Sequence, residues 1–208
     1  MTGCFITLEG GEGVGKSTNM AFIEQHLNSR SIPFIRSREP GGTPLGESIR
    51  NLLLNSESMD VQAELLMVFA ARAQHIQTVI KPALVSGCWV VCDRFTDASY
   101  AYQGGGREID SEAIKFLETW VQHGLQPDLT LLLDAPIDVG MDRIKVRSQM
   151  DRFELEKASF FHKVREAYLE RAMQFPERIK VVDASVNLIE VQSSIAHHLD
   201  QLLASKHV

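Results

Sequence analysis

The sequence predicts an α/β fold in three layers, with a five-stranded parallel sheet between helices on both faces. Short apolar runs of strand length alternate along the chain with longer stretches of helical periodicity. Two of those runs, Trp89-Val90-Val91-Cys92 and Leu129-Thr130-Leu131-Leu132-Leu133, are nearly continuous in apolar residues, as strands buried on both faces of a parallel sheet are. The first run breaks directly into Gly10-Gly11-Glu12-Gly13-Val14-Gly15-Lys16-Ser17-Thr18, a glycine-rich turn between a strand and a helix.

Taken in order, residues 4–9 form the first strand and residues 19–30 the helix after the glycine turn. Residues 32–36 form a second strand, which runs into Ser37-Arg38-Glu39-Pro40-Gly41-Gly42-Thr43-Pro44, a loop by its glycine and proline content. Residues 45–54 read as a short helix with Ile49, Leu52 and Leu53 on its apolar side. A long helical stretch over 61–85 carries Leu65, Leu66, Phe69, Ile76, Val79 and Ile80, with Pro82 expected to kink it and Gly87 to stop it. Asp93-Arg94-Phe95 follows the third strand at its carboxyl end. A helical piece then reaches Gln103, where Gly104-Gly105-Gly106-Arg107 is expected to break it. The helix over 111–123 takes its cap from Asp110 or Ser111. Asp134-Ala135-Pro136 ends the fourth strand, and helical pattern resumes over 137–147. A polar break at 148–152 precedes an amphipathic stretch over 154–175, a last strand at 179–182 and a closing helix over 188–203. No linker or repeat interrupts this alternation, so one domain over 1–208 is expected, with its site at the carboxyl edge of the sheet.

A chain of 208 residues suits one such domain with a full core, and 44% hydrophobic with 23% charged residues is the balance of a soluble globular protein. The net charge of −6 supplies no basic field, which argues against a general nucleic-acid binder. Cations for a polyphosphate must then be gathered locally, and Arg38, Arg72, Arg94, Arg107, Arg143, Arg147 and Arg152 stand at suggestive places. No stretch approaches the roughly 18–20 apolar residues of a membrane span, and the N-terminus enters a strand with no charged leader. Neither a membrane nor a secretion signal is expected. The three cysteines, Cys4, Cys88 and Cys92, have no metal-ligand pairing with histidine and read as reduced thiols of a cytoplasmic protein.

The glycine turn fits G-x-x-x-x-G-K-[ST], a loop whose backbone N–H groups can face a polyphosphate. Lys16 can reach the β- and γ-phosphates of a nucleoside triphosphate such as ATP, and the Ser17 hydroxyl suits Mg²⁺. Asp93, at a strand end near Ser17, is a second candidate ligand for that ion. The guanine-reading N-K-x-D element and a D-x-x-G after a strand are both missing, which sets GTPases aside. Motor and transport ATPases usually need a longer chain. A small kinase remains, and it needs a second anionic pocket facing the loop. A P-loop protein that binds nucleotide and switches without transferring phosphate is the rival from another class.

Six ordered elements narrow the kinase further. They are residues 10–18, Arg38-Glu39-Pro40-Gly41-Gly42-Thr43, Phe69-Ala70-Ala71-Arg72, Asp93-Arg94-Phe95, Ser99 with Tyr102-Gln103-Gly104-Gly105-Gly106-Arg107, and Asp151-Arg152-Phe153-Glu154. Over essentially its full length the chain resembles thymidylate kinases of the bacterial type. The resemblance implies a P-loop kinase fold and Mg²⁺-dependent transfer of the ATP γ-phosphate to dTMP. The alternative is a related kinase for another deoxynucleotide or a deoxynucleoside.

Residue by residue, it implies Arg38 on the dTMP phosphate and Phe69 with Arg72 on the thymine. Phe69 and Arg72 do share a helix face at i, i+3, although a phenylalanine there is more often a core residue. Ser99 and Gln103 are implied near the base, Tyr102 near the sugar C2′, and Glu12 as acceptor for the sugar 3′-OH. Arg94 is implied as a bridge between donor and acceptor phosphates. This loop carries no arginine of its own, and the bacterial type supplies one from a mobile lid, here about 141–154 with Arg143, Arg147 and Arg152. Arg147 is the first choice for the catalytic arginine, and Arg152 joins Lys16, Arg94 and Asp93 in the catalytic set. The segment Ser148-Gln149-Met150 is less basic than the lids of similar enzymes. Relatives of this type form homodimers, and the 61–85 helix could supply the interface or be core.

Overall fold

The computed structural model describes residues 3–145 and 152–206, and of residues 142–145 only the backbone. Five parallel strands run in the order β2-β3-β1-β4-β5: β1 (Phe5–Glu9), β2 (Phe34–Arg38), β3 (Trp89–Asp93), β4 (Leu129–Asp134) and β5 (Ile179–Asp183). β1 lies between β3 and β4, with Ile6 opposite Val91 on one side and Leu129 on the other. The chain therefore leaves β1 at the point where the strand order reverses, where α/β sheets open a crevice at their carboxyl ends.

Alternation along the strands fills two cores. Ile6, Leu8, Val91, Leu131 and Leu133 face one layer, where they meet Met20, Ile23 and Leu27 of α1 (Lys16–Ser29). The last helix of the chain supplies Ile195 and Leu199 to the same cluster. Phe5, Val90 and Cys92 face the other layer and pack with Ile76, Ile80 and Phe95. Every apolar residue named in these clusters is at most 2% exposed, so single truncations here should cost about 2–5 kcal/mol. Thr7 and Thr130 pair through their hydroxyls at 2.8 Å in the middle of the sheet.

Between β2 and β3 run α2 (Pro44–Asn55), α3 (Val61–His75) and α4 (Lys81–Val85). Thr43 caps α2 by accepting from Gly46 N at 2.9 Å, and Asp60 caps α3. The expected single helix over 61–85 is divided by a π-helical turn, Ile76–Ile80. Pro82 has no N–H to offer the carbonyl four residues back, and a widened turn accommodates that loss. After β3 come α5 (Thr96–Ser99), α6 (Ser111–Gln122) and, beyond β4, α7 (Ile137–Lys145), α8 (Ala158–Gln174) and α9 (Leu188–Ser205). Asp110, not Ser111, caps α6, through Glu112 N.

The glycines at 104–106 do not break the chain. They continue it as a π-helical turn, Tyr100–Gly106. A Cβ at Gly105 would strike Ala167 and the Lys163 carbonyl, and one at Gly106 would strike the Phe160 ring. These glycines let α8 lie against the turn, a purpose that composition does not distinguish from a loop.

Candidate functional site

β1 ends in the buried Glu9, and the glycine loop delivers Lys16 as the first residue of α1. Helix α1 therefore points its N-terminus, with its unpaired N–H groups, into the loop, an arrangement suited to an anion. The loop also touches α7. At Gly13 (φ 71°) a Cβ would collide with the Gly140 carbonyl, and at Gly140 with that of Glu12. Two glycines thus allow the helix that leads toward residue 145 to rest backbone to backbone on the loop.

Lys16 is buried, and its Nζ donates to the carbonyls of Gly10 at 3.1 Å and Gly11 at 2.6 Å. Burial and the neighbouring Arg94 bring the ammonium down to about 8, against the pull of Glu12, Asp93 and Glu9.

Arg94 is the central cation. It follows Asp93 at the end of β3 with φ 67°, a left-handed conformation costly for an arginine. The Arg94 N–H bonds Leu8 O at 3.0 Å, and the next N–H, of Phe95, bonds Glu9 Oε1 at 2.7 Å. Glu9 also accepts from Tyr168 Oη at 2.7 Å, so it ties β1, the 93–95 turn and α8 together. Held this way, the Arg94 guanidinium turns back over the loop. It pairs with Glu12 Oε1 and donates to Tyr102 Oη at 2.8 Å, while Tyr102 Oη donates to Glu12 at 2.8 Å. Burial alone would raise the Glu12 carboxyl, but Arg94, Lys16 and the Tyr102 hydroxyl together bring it to about 2. Burial lifts the Tyr102 phenol well above its ordinary value, so it remains a donor.

Glu12, Gly13, Gly15, Lys16, Ser17 and Thr18 line a cavity of about 360 Å³ with Asp93, Arg94, Arg72, Ser99, Tyr102 and Gln103. The loop and the candidate acceptor residues thus share one space. Gly10, Gly11 and Val14 line a separate small void behind the loop, against β4 and α7. Asp93 Oδ1 is buried without a hydrogen-bond partner among the described residues, and so is Arg94 Nε.

At the far end, Arg72 is 1% exposed. Its Nε bonds Glu39 Oε2 at 2.7 Å, and its terminal nitrogens bond Ser99 Oγ at 3.0 Å and Phe95 O at 3.1 Å. Glu39 in turn meets His75 Nδ1 at 2.9 Å, and His75 Nε2 meets Ser37 Oγ at 2.6 Å.

Three expectations change. Phe69 does not reach the cavity: it is 2% exposed, packed with Leu65, Ile114 and Leu117, and lies under the Arg72 guanidinium at 4.6 Å. Val68, one residue earlier and four before Arg72, lines the wall instead. Arg38 is exposed and gripped by Glu47 at 3.2 and 2.7 Å, outside the lining. Arg50 of α2 stands in the cavity wall in its place, donating to Pro40 O at 3.1 Å. Burial, then Arg38 and Arg94, lowers the pKa of Arg50, a crowding of cations that an anionic ligand would offset. The sequence alone does not mark Arg50: its place shows only in the structure, where Leu53 and Leu54 at i+3 and i+4 line the same cavity.

Arg152 also departs from its expected role. Its guanidinium bonds Glu64 Oε2 at 2.7 Å and Leu53 O at 2.8 Å, and Arg152 does not line the cavity. The next residues, Phe153 and Glu154, line the cavity. Arg147 lies outside the described residues, as does the Arg143 side chain.

Similarities to known proteins agree with this geometry. A family model described as thymidylate kinase matches residues 8–195. A thymidylate kinase of Chromohalobacter salexigens is 58% identical over 207 residues, 98% of each chain. One of Methylococcus capsulatus is 55% identical over 202 residues, 97% of each. The crystal structure of thymidylate kinase from Ehrlichia chaffeensis superimposes with a TM-score of 0.76 at 31% identity, over 96% of this chain and 99% of that one. The chain belongs to the thymidylate kinase family.

Proposed function

We propose that the glycine loop binds ATP, that the adjoining cavity binds dTMP, and that a dTMP phosphate oxygen displaces ADP from the γ-phosphorus to give dTDP. The observation that carries this reading is the place of Arg94: one guanidinium touches the loop, the acid within it, and the wall of the acceptor cavity. Phosphoryl transfer depends on positioning and charge neutralisation more than on a general base. Lys16 and the α1 N-terminus receive the donor phosphates, while Arg94 and Arg50 face the acceptor phosphate. Glu12 accepts from the sugar 3′-OH, and Tyr102 closes the C2′ side. Arg72, Ser99 and Gln103 meet the base.

The orphaned Asp93 Oδ1 and the exposed Ser17 hydroxyl on the same cavity fit Mg²⁺, which takes few protein oxygens beside phosphates and water. Asp93 and Ser17 would hold the ion, which would neutralise phosphate charge. Arg147 keeps the role of lid arginine on the strength of the family resemblance alone.

A homodimer is supported by an apolar face across adjoining helices, with Leu52 of α2 (56% exposed), Leu66 of α3 (57%), and Phe116 and Trp120 of α6 (69% and 66%). Sedimentation as a monomer at micromolar concentration would remove that part. Among the described residues no helix is long and apolar enough to cross a membrane.

A coupled ADP-release assay with dTMP, dUMP, dCMP and thymidine tests the main reading. The fastest turnover is expected with dTMP. Because a C5-methyl contact is worth only about 1–3 kcal/mol, dUMP should follow as a weaker substrate. No turnover with dTMP above the ATPase background would overturn the proposal, and faster turnover of another acceptor would make this a related kinase.

A further inference from the structure

A wall that tells one pyrimidine from another depends on which end of each amide faces the ligand, and that end is set from behind. Gln103 lines the acceptor cavity and is 3% exposed. Behind it lies Glu64, in the first turn of α3 and fully buried. Glu64 Oε1 accepts from Gln103 Nε2 at 2.9 Å, and Oε2 accepts from an Arg152 terminal nitrogen at 2.7 Å. Arg107 Nε reaches the two oxygens at 3.4 and 3.2 Å.

A carboxylate facing two guanidinium groups offers only acceptors, so Gln103 must turn its NH₂ toward Glu64. Its carbonyl is then left on the cavity side. Arg72 stands in the same wall, with a further hydrogen on each terminal nitrogen beyond its bonds to Ser99 and Phe95. An acceptor beside donors complements the N–H and C=O of a pyrimidine imide. It mismatches the ring nitrogen and amino group of cytosine, which present the opposite pattern.

The same carboxylate holds another part of the wall. Arg152 is fastened to Glu64 and, through its side chain and backbone N–H, to the Leu53 and Leu54 carbonyls at 2.8 and 3.2 Å. Phe153, the next residue, lines the cavity and meets the Tyr102 ring edge-on at 5.8 Å.

We propose that Glu64, which lies outside the cavity, is a positioning residue for the acceptor base: it sets the hydrogen-bond polarity of Gln103, and through Arg152 it holds Phe153 in the wall. This inference rests on the reading of the cavity as the dTMP site. It is tested in the full-length enzyme with Glu64→Gln and Glu64→Asp, by measuring kcat/KM for dTMP and for dCMP at saturating ATP. Both variants disturb packing, but Asp keeps an acceptor-only partner, whereas the Gln amide lets Gln103 present either end. Glu64→Asp should slow both substrates together and leave the dTMP to dCMP ratio where the wild type has it. Glu64→Gln should narrow that ratio by about ten- to a hundredfold, the effect of one mispaired buried polar group. An unchanged ratio in Glu64→Gln, or an equal change in both variants, overturns the proposal and leaves Glu64 a packing residue. If Glu64→Gln does not fold, the double change Glu64→Gln with Arg107→Gln removes one of the two guanidinium charges facing position 64 and carries the same comparison. Gln103→Ala separates the two readings. If it leaves the dTMP KM unchanged, the cavity is not the base site. If it raises KM while Glu64→Gln leaves the ratio intact, only the positioning role fails.

Discussion

Glu12→Gln should destabilise the protein by about 3 kcal/mol at pH 7, and the deficit should fade in acid. The perturbation keeps the shape of the side chain while mimicking its neutral form. Glu12 is half-buried against Arg94, Lys16 and Tyr102, which bring its carboxyl from 4.5 to about 2 despite the cost of desolvation. At about 1.36 kcal/mol per tenfold change in proton affinity, that difference is worth about 3 kcal/mol of stability. The sign follows from proton counting. Between pH 2 and 4.5 the unfolded chain binds the proton and the folded chain does not, so stability rises with pH across that window and is constant above it.

Glu9 works in the opposite sense nearby. Burial, then Asp97, lifts its carboxyl from 4.5 to about 7, so between those values the folded state holds the proton and stability falls as pH rises. A wild-type curve alone mixes the two residues, whereas the difference between wild type and Glu12→Gln isolates the first. The assay is urea unfolding of both proteins at equal concentration, at pH 7, 5 and 3.5. The midpoint gap should be about 1 M at pH 7, given a slope of about 2–3 kcal/mol per molar for a chain this size. By pH 3.5 the gap in free energy should have shrunk to about 2 kcal/mol. A gap under about 1 kcal/mol at pH 7 would refute the reasoning, because the pair would then be behaving like a screened surface ion pair. So would a gap that stays the same in acid.

Two further outcomes follow from the loop. Lys16, held at about 8 by burial and Arg94, should be pulled upward when a triphosphate arrives, so nucleotide binding at pH 8.5 should take up protons. Calorimetry in two buffers of different ionisation heat reads that uptake, and equal heats in both would contradict it. Gly140→Ala should push α7 off the loop at Glu12 and Gly13, raising the ATP dissociation constant about tenfold, the effect of roughly 1–2 kcal/mol of overpacking. The dTMP constant should change less, and equal losses for both ligands would show a general collapse of the site.

The sheet, its order of elements and the glycine loop were legible because periodicity and the loop's glycines are local properties. Boundaries and purposes set by contact were not. Gly105 and Gly106 read as a break until α8 is seen lying against them. The resemblance implies Phe69 on the base, and i, i+3 spacing does put it near Arg72, but a helix face is wide. Packing against Leu65, Ile114 and Leu117 turns Phe69 inward and leaves Val68 on the cavity. The resemblance implies phosphate and lid roles for Arg38 and Arg152, but each is claimed by a carboxylate outside its own motif: Glu47, nine residues on, holds Arg38, and Glu64, far back in the chain, holds Arg152. Sequence shows where a cation is available and leaves open which acid holds it.

That competition among acids explains how a chain of net charge −6 can present cations to phosphates. Arg72, Arg107 and Arg152 are each fixed by the buried acids Glu39 and Glu64, and they shape the wall where an uncharged base belongs. Among the described residues, Arg50 has no carboxylate as a hydrogen-bond partner and takes the Pro40 carbonyl, while Arg94 shares Glu12 with Tyr102. Pairing with buried carboxylates gives rigid positioning at the base end, and cations less fully claimed by carboxylates leave charge for the phosphate end. Glu12, the acid within the phosphate loop, belongs to this division. It orients Arg94 without neutralising the Lys16 beside it, and its remaining acceptor capacity faces the cavity where the acceptor's sugar would lie.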